Sequence, residues 1–439
     1  MGGKVKKCIP AVLFIVLLFA LAACQGRFYE QKSGEFPEEE AITIWAWDKA
    51  FNIAAAEAAR DIYLKAHPDA NINIVTIAQD DIVARLNTRF ASGAHDDLPD
   101  IVLIEDYRIQ SYLRTYPDEF AELSDIADAD DFADYKTKMS QAGGNLYGIP
   151  FDCSVTGLFY RTDYMEQAGY GREDLEDLTW DQYIEIGKTV KEKTGKYMLT
   201  LNPSDLGQLR MMLQSAGSWY TDEEGNLDIL ENEVLKEAIC TYKKIVDAEI
   251  AMYVADWGQF VGAFNNGEVA TVPTGCWIMS SIEKAADQHG KWAVVRIPRL
   301  AGTESSVNAS SLGGGGWYVL KNAGHEKEAK NFLKETFASN EELMDRLAGE
   351  IELVSTLKVT SQSKNYCKSS DFFGGQNILG DFVKWAGEVP TVNYGEDTYE
   401  IEDMMTDALQ KIIDGIDMDI VLESTFATAE TAGREIEGQ

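Results

Sequence analysis

Between residues 42 and 104 the chain repeats one pattern, in which short apolar runs suited to strands are separated by longer runs with helical spacing. Ile42-Thr43-Ile44-Trp45-Ala46-Trp47 is β-branched and aromatic, and the alanine-rich run from Ile53 to Lys65 behind it is stopped by His67-Pro68. Asn71 to Ile77 alternates toward a second strand, Asp81 to Phe90 is helical, and Leu98-Pro99-Asp100 turns the chain into the strand Ile101 to Ile104. A β-α-β-α-β order predicts an α/β fold with a mostly parallel sheet covered on both faces, and it excludes a sandwich or a helical bundle. Ligands of such sheets sit beyond the carboxyl ends of the strands. Those ends carry Trp47-Asp48-Lys49 and Glu105-Asp106-Tyr107-Arg108. Asp80-Asp81 ends the second strand, where it either faces ligand or caps the following helix, with capping favoured.

The 439 residues are enough for two cores, and 45% hydrophobic content with 36 Gly and 10 Pro excludes a disordered or collagenous chain. With 39 Lys and Arg against 73 Asp and Glu, the formal charge of -34 repels phosphate backbones, so nucleic acid is excluded as a partner. The sign suits a neutral or cationic small molecule.

Lys4, Lys6 and Lys7 precede an apolar run from Ile9 to Ala23, which reads as a secretory signal. It is shorter than the roughly 20 residues that span hydrocarbon, and no later segment is as long and apolar, so a polytopic membrane protein is excluded. Leu21-Ala22-Ala23-Cys24 resembles the bacterial lipobox. The resemblance implies removal of residues 1-23 and attachment of diacylglycerol to Cys24, with 24-39 as an acidic linker. The protein is then expected on the extracellular face of the cytoplasmic membrane, held by its lipid anchor alone. Cys153, Cys240, Cys276 and Cys367 show no C-x-x-C or zinc spacing; disulfides and buried free thiols both remain open.

Tyr147 to Phe151 followed by Val155 to Tyr160 forms an extended run that leaves a first lobe for a second. The middle of the chain is largely helical. Trp180 to Val190 begins after Thr179 as N-cap, and further helical runs are Leu206 to Leu213, Val234 to Val246 and Trp257 to Phe264. Gly313 to Gly316 leads into Trp317 to Leu320, with helical runs at Glu326 to Phe337 and Glu341 to Leu347. Ile401, Met404, Met405, Ala408, Leu409, Ile412 and Ile413 recur at helical spacing as a core face, so their methionines need no metal.

No catalytic or metal motif is present. The 4 His form no ligand array, and H-E-x-x-H, G-x-S-x-G and the Lys-Ser/Thr ending of a P-loop are missing. No metal or other cofactor is expected. Carboxylate pairs such as Asp48 with Glu105 keep a secreted glycoside hydrolase as a minor alternative, although a clamp on sugar hydroxyls uses the same residue types.

Aromatics beside glycine or acid are more telling: Trp47-Asp48, Gly217-Ser218-Trp219-Tyr220, Asp256-Trp257-Gly258, Gly275-Cys276-Trp277 and Gly316-Trp317-Tyr318. An indole covers the apolar C-H face of a sugar while carboxylates accept from its hydroxyls. Taken singly, each tryptophan is better explained as core.

In order, Leu98-Pro99-Asp100-Ile101-Val102, Tyr147-Gly148-Ile149-Pro150, Leu158-Phe159-Tyr160-Arg161-Thr162-Asp163, Thr179-Trp180-Asp181, Phe264 to Ala270 and Gly275-Cys276-Trp277 resemble the extracellular solute-binding proteins of carbohydrate ABC importers. That family includes the maltose-binding proteins. The resemblance spans about residues 40 to 430 and implies a two-lobed periplasmic-binding-protein-like fold with a hinged interlobe cleft. It divides the chain into 40-151 plus 316-356 and 152-315 plus 357-430, with 431-439 as a flexible tail. It also implies a monomer that captures a neutral disaccharide or short oligosaccharide without converting it and delivers it to the permease. Ligand contacts carry over to Asp48, Lys49, Glu105, Tyr107, Arg108 and Trp277, and more weakly to Trp219 and Trp317. Trp47 and Trp257 join them as cleft aromatics; Asp152, at the first crossing, contacts sugar or locks the hinge. Isoleucine at 104, where maltose-binding members carry an aromatic, argues against maltose itself. A polyamine held by cation-π contacts is the alternative ligand.

Overall fold

The computed structural model describes residues 41-437. The signal segment 1-23, Cys24 and the linker 24-39 lie outside the described residues.

The first lobe opens with β1 (Ile42–Ala46), α1 (Asn52–Ala66), β2 (Ile72–Thr76), α2 (Gln79–Ser92), β3 (Ile101–Glu105) and α3 (Asp106–Thr115). β1 lies between β2 and β3 and is parallel to both, with Ile44 opposite Ile74 and Ile101. Ala55, Ala56, Ala58 and Ala59 of α1 are buried, and small side chains let the helix approach the sheet closely. The carboxylate of Asp100 accepts from the Thr43 N–H at 2.8 Å, tying the entry of β3 to β1. Asp80 and Asp81 occupy the first turn of α2 but do not cap it, because Ala78 holds the N-cap position without a side-chain bond. Their charge favours the positive end of the helix dipole.

After β4 (Gly148–Pro150) the chain crosses into the second lobe. That lobe comprises β5 (Thr156–Arg161), α4 (Trp180–Thr194), β6 (Leu199–Leu201), α5 (Gly207–Ser215), α6 (Glu233–Asp247), β7 (Ala251–Tyr253), α7 (Trp257–Asn265), β8 (Thr271–Gly275) and β9 (Trp292–Val295). β5 is the centre of an antiparallel sheet ordered β8-β5-β9, and β6 pairs with β7 in parallel. Thr179 caps α4 in a reciprocal box with Gln182.

The chain returns as β10 (Gly315–Val319), inserted antiparallel between β3 and β4, so the first sheet reads β2-β1-β3-β10-β4. α8 (Glu326–Glu335) and α9 (Glu341–Glu350) follow. The crossings run side by side: Asp152 bridges Ser355, and Val155 bridges Ser311. Two α/β domains are thus joined by several strands of chain. Gly313 and Gly314 take φ of 80° and 102°, while Gly315 and Gly316 enter β10. A Cβ on Gly314 would strike the ammonium of Lys136 and approach the carboxylate of Asp106, so this position requires glycine for space as well as torsion.

The last elements are α10 (Thr398–Ile413) and α11 (Met418–Glu437). The chain from 431, expected as a flexible tail, is helical as far as Glu437. Ile401, Met405, Ala408, Leu409 and Ile412 of α10 are buried, as their spacing predicts, whereas Met404 and Ile413 are only half-buried. Cys153, Cys240, Cys276 and Cys367 are free thiols, the first and third buried and the others exposed.

Glu352, next to the third crossing, sits at φ 57°, and burial with the nearby Glu283 pushes its carboxyl from 4.5 up to about 7. The folded state therefore holds this proton more tightly than the unfolded chain, and the group adds stability as pH falls through that window and costs stability above it. Glu352→Gln is expected to raise the melting temperature by a few degrees at about pH 8 and to leave it unchanged at about pH 4, as read by thermal denaturation.

Candidate functional site

A cavity of about 330 Å³ lies on the seam between the lobes. Glu105 and Tyr107, at the carboxyl end of β3, form its first-lobe wall. The second lobe contributes Asn202 and Asp205 after β6, Gln208 and Arg210 of α5, Asp256, Trp257 and Phe260 at the start of α7, Thr274 of β8, and Trp277. Leu312 and Gly313 of the returning crossing close the floor.

Trp277 is half-buried, and its indole N–H donates to the Leu312 carbonyl at 3.0 Å, which fixes the ring and leaves its face available. A Cβ on Gly275 would overlap that indole, so the glycine two residues earlier permits the ring to fold against the end of β8. Trp257 is 55% exposed and tilts at 39° to Trp277 with centroids 5.8 Å apart, and Phe260 lies 5.4 Å from Trp257. The Asp256 carboxylate accepts from the Gln259 N–H and caps α7, which places Trp257 at the first helical position facing the cavity.

The polar wall is fixed by hydrogen bonds to neighbouring residues. Tyr399 donates its hydroxyl to Glu105 at 2.8 Å, and the Arg108 Nε lies 3.9 Å from the same carboxylate. The Gly313 N–H donates to the Tyr107 hydroxyl at 3.0 Å, and burial pushes that phenol up to about 12, so it stays protonated. Arg210 forms a two-point pair with Glu402, with Nε to Oε1 at 2.7 Å, and its guanidinium lies 5.0 Å from the Tyr107 ring centre. The cavity thus offers an aromatic surface of Trp257, Phe260 and Trp277, carboxylates of Glu105, Asp205 and Asp256, and the fixed cation of Arg210. Among the described residues no group of three or more His, Cys, Asp or Glu could hold a metal.

The structure brings Glu105, Tyr107, Trp257 and Trp277 of the expected site residues to this cavity. Asp48 and Lys49 are exposed beyond β1, outside its lining, and the Asp48 carboxylate accepts from the Ala50 and Phe51 N–H groups at 2.8 and 2.9 Å. Trp47 and Arg108 line a separate 10 Å³ cavity with Tyr112 and Glu105. Trp219 is 1% exposed and stacks on Tyr107 at 5.6 Å, so it backs the wall and does not form it. Trp317 belongs to the first-lobe core, because its position on β10 faces Phe151 and Phe337, whose ring centres lie 5.5 and 5.0 Å away. Asp152 is buried at the hinge, where it accepts from the Gly315 N–H at 3.2 Å and from the Ser154 hydroxyl.

Asn202, Asp205, Gln208 and Arg210 were not anticipated. Their signal is the Asn202-Pro203-Ser204-Asp205 turn beyond a strand, which the three residues of β6 are too short to announce.

Residues 58–374 match the family model described as bacterial extracellular solute-binding protein. The chain belongs to this family. Its members bind a solute and do not convert it. The chain is 43% identical to the lactose-binding protein of Rhizobium radiobacter over 87% of its own length and 90% of that protein. It is 26% identical to the arabinooligosaccharide-binding protein of Bacillus subtilis (strain 168), covering 90% and 91% of the two chains. In fold it is similar to the ABC transporter associated binding protein from B. animalis subsp. lactis Bl-04, solved with beta-1,6-galactobiose, at a TM-score of 0.73 and 19% identity over 90% of this chain and 98% of that one.

Core and wall tryptophans should separate in denaturant unfolding. Trp317→Ala is expected to cost about 3–5 kcal/mol of stability, whereas Trp277→Ala, at a half-open position, costs well under half of that.

Proposed function

We propose that this protein captures a neutral disaccharide or short oligosaccharide at the interlobe seam, with lactose the first candidate, and delivers it unaltered to the permease of an ABC importer. The observation that carries the reading is the tilted Trp257–Trp277 pair facing the Glu105 carboxylate across the seam. Sugar rings present an apolar face and a rim of hydroxyls, and this cavity supplies a surface for each. A volume of about 330 Å³ is at the lower end of small-molecule sites and suits a short saccharide. The 43% identity to a lactose-binding protein supports that choice of sugar.

Binding energy is available only when both walls are in place. Sugar therefore favours the closed arrangement through its differential affinity, and the permease reads that arrangement. The lobes in this reading are 40-151 plus 316-356 and 152-315 plus 357-430, supported by the separate sheets of the two parts. The protein acts as a monomer outside the cytoplasmic membrane, tethered by a lipid on Cys24, as the Leu21-Ala22-Ala23-Cys24 segment supports. The pairing of Arg210 with Glu402 leaves the Glu105, Asp205 and Asp256 carboxylates in excess, so the choice of sugar over a polyamine rests on the aromatic pair and on the sugar-binding relatives rather than on charge.

Titration calorimetry tests the reading. Lactose is expected to bind with little dependence on moderate salt, and Trp277→Ala to weaken it at least tenfold, on the scale of an aromatic platform. Binding of spermidine that falls steeply with salt, or release of monosaccharides from lactose by the purified protein, would contradict it.

A further inference from the structure

The segment leading into α10 is anchored to the second lobe. The Gln214 side chain donates to the Pro390 carbonyl at 2.6 Å, Thr221 to the Asn393 carbonyl at 2.7 Å, and the Trp219 indole to the Thr398 hydroxyl at 3.1 Å. Tyr394 donates to Gln214 at 2.7 Å, and Glu402 accepts from Arg210 and from the Tyr220 hydroxyl. All of these anchoring partners come from residues 210–221 of the second lobe.

The same segment grips the first lobe along α3. Tyr399 donates to Glu105 at 2.8 Å and lies under the Arg108 guanidinium at 4.3 Å. One helix length away, Arg114 pairs with Asp397 at 3.2 Å and with Glu396. Between these points Tyr107 is held by Trp219 and by Tyr394, whose ring centre is 4.7 Å away. These contacts join parts that belong to different lobes.

We infer that Arg114, Tyr399, Glu396 and Asp397 form an interlobe latch that holds the closed arrangement and so sets sugar affinity without touching the sugar. None of the four lines the 330 Å³ cavity. α3 starts at the hinge, where the Asp106 N–H donates to the Gly314 carbonyl at 3.2 Å. Arg114 lies eight residues further on, about 12 Å along the helix, so a rotation about the crossings moves it farther than it moves Tyr107. A rigid rotation of the lobes separates Arg114 from carboxylates that remain with the second lobe. The apparent affinity of a site competent only when closed scales with the closed fraction, so weakening the latch weakens binding. The Arg114, Glu396 and Asp397 side chains are 34–39% exposed, which limits the effect to a modest factor.

This inference rests on the closing-seam reading, and the test separates the two. Arg114→Glu, Arg114→Lys and the double variant Glu396→Gln/Asp397→Asn are compared with the whole protein by lactose calorimetry, stopped-flow dissociation and small-angle scattering without sugar, after thermal denaturation shows each to be folded. Arg114→Glu is expected to weaken lactose binding about three- to tenfold, through faster dissociation, and to enlarge the radius of gyration of the sugar-free protein. The double variant shifts the same way by less, and Arg114→Lys stays within about twofold. Unchanged or tighter lactose binding by folded Arg114→Glu, with unchanged scattering, overturns the latch. If the unsubstituted protein itself does not bind lactose, the choice of sugar fails, and the scattering comparison alone then decides the latch: a more open variant supports it and an identical one overturns it.

Discussion

The ammonium of Lys136 is 2% exposed and sits against the Asp106 carboxylate, with Asp152 close by and Gly314 passing over the group. Burial alone would lower the lysine, but the two carboxylates more than offset it and hold the group charged above the ordinary lysine range. Removing one member of a buried set of this kind leaves a charge without its partner, which costs about 3–5 kcal/mol. The set joins the first residue of α3, the first crossing at Asp152 and the returning crossing at Gly314. Glu105 and Tyr107 flank Asp106, so the same ion cluster places the first-lobe wall of the cavity and the chain crossings beside it.

In the proposed reading, the two walls divide the recognition chemistry. The first lobe supplies Glu105 and Tyr107 from one strand end, and their orientations are held by Tyr399 and the Gly313 N–H. The second lobe supplies the aromatic surface, with Trp277 fixed by its bond to Leu312 and Trp257 by the cap of α7. Glu105, Arg210 and Asp256 are held by partners outside the cavity, and Tyr107 by the Gly313 N–H at its edge, so little ordering of these groups is left to occur when a solute arrives. Arg210 belongs to both arrangements: it lines the cavity, and through Glu402 it secures the segment that reaches back to α3.

Much of this was legible in the chain. The alternation from Ile42 to Ile104 predicts the parallel start of the first sheet, and Thr179 as N-cap announces α4. Trp277 was legible because its constraint is local: the glycine at 275 and the ring it accommodates are two residues apart. Trp317 was not, because its surroundings resemble those of Trp277, and only the register of β10, with Trp317 opposite Leu103 and Ile149, decides which face it occupies. Trp219 fails for a long-range reason: its ring face is taken by Tyr107, more than a hundred residues earlier. Asp48 lies at the strand end that the fold class assigns to ligands, yet a turn of its own backbone uses its carboxylate. The Gly313 to Gly316 run combines two demands, a left-handed crossing and a strand, that composition alone does not separate.

The central claim is that a sugar is held at once by the rings of one lobe and the acid of the other. A crystal structure of the lactose complex tests it most directly. The account predicts a pyranose ring lying flat on Trp277 with a hydroxyl donating to Glu105; lactose bound against one lobe alone, or away from Trp277, would contradict it.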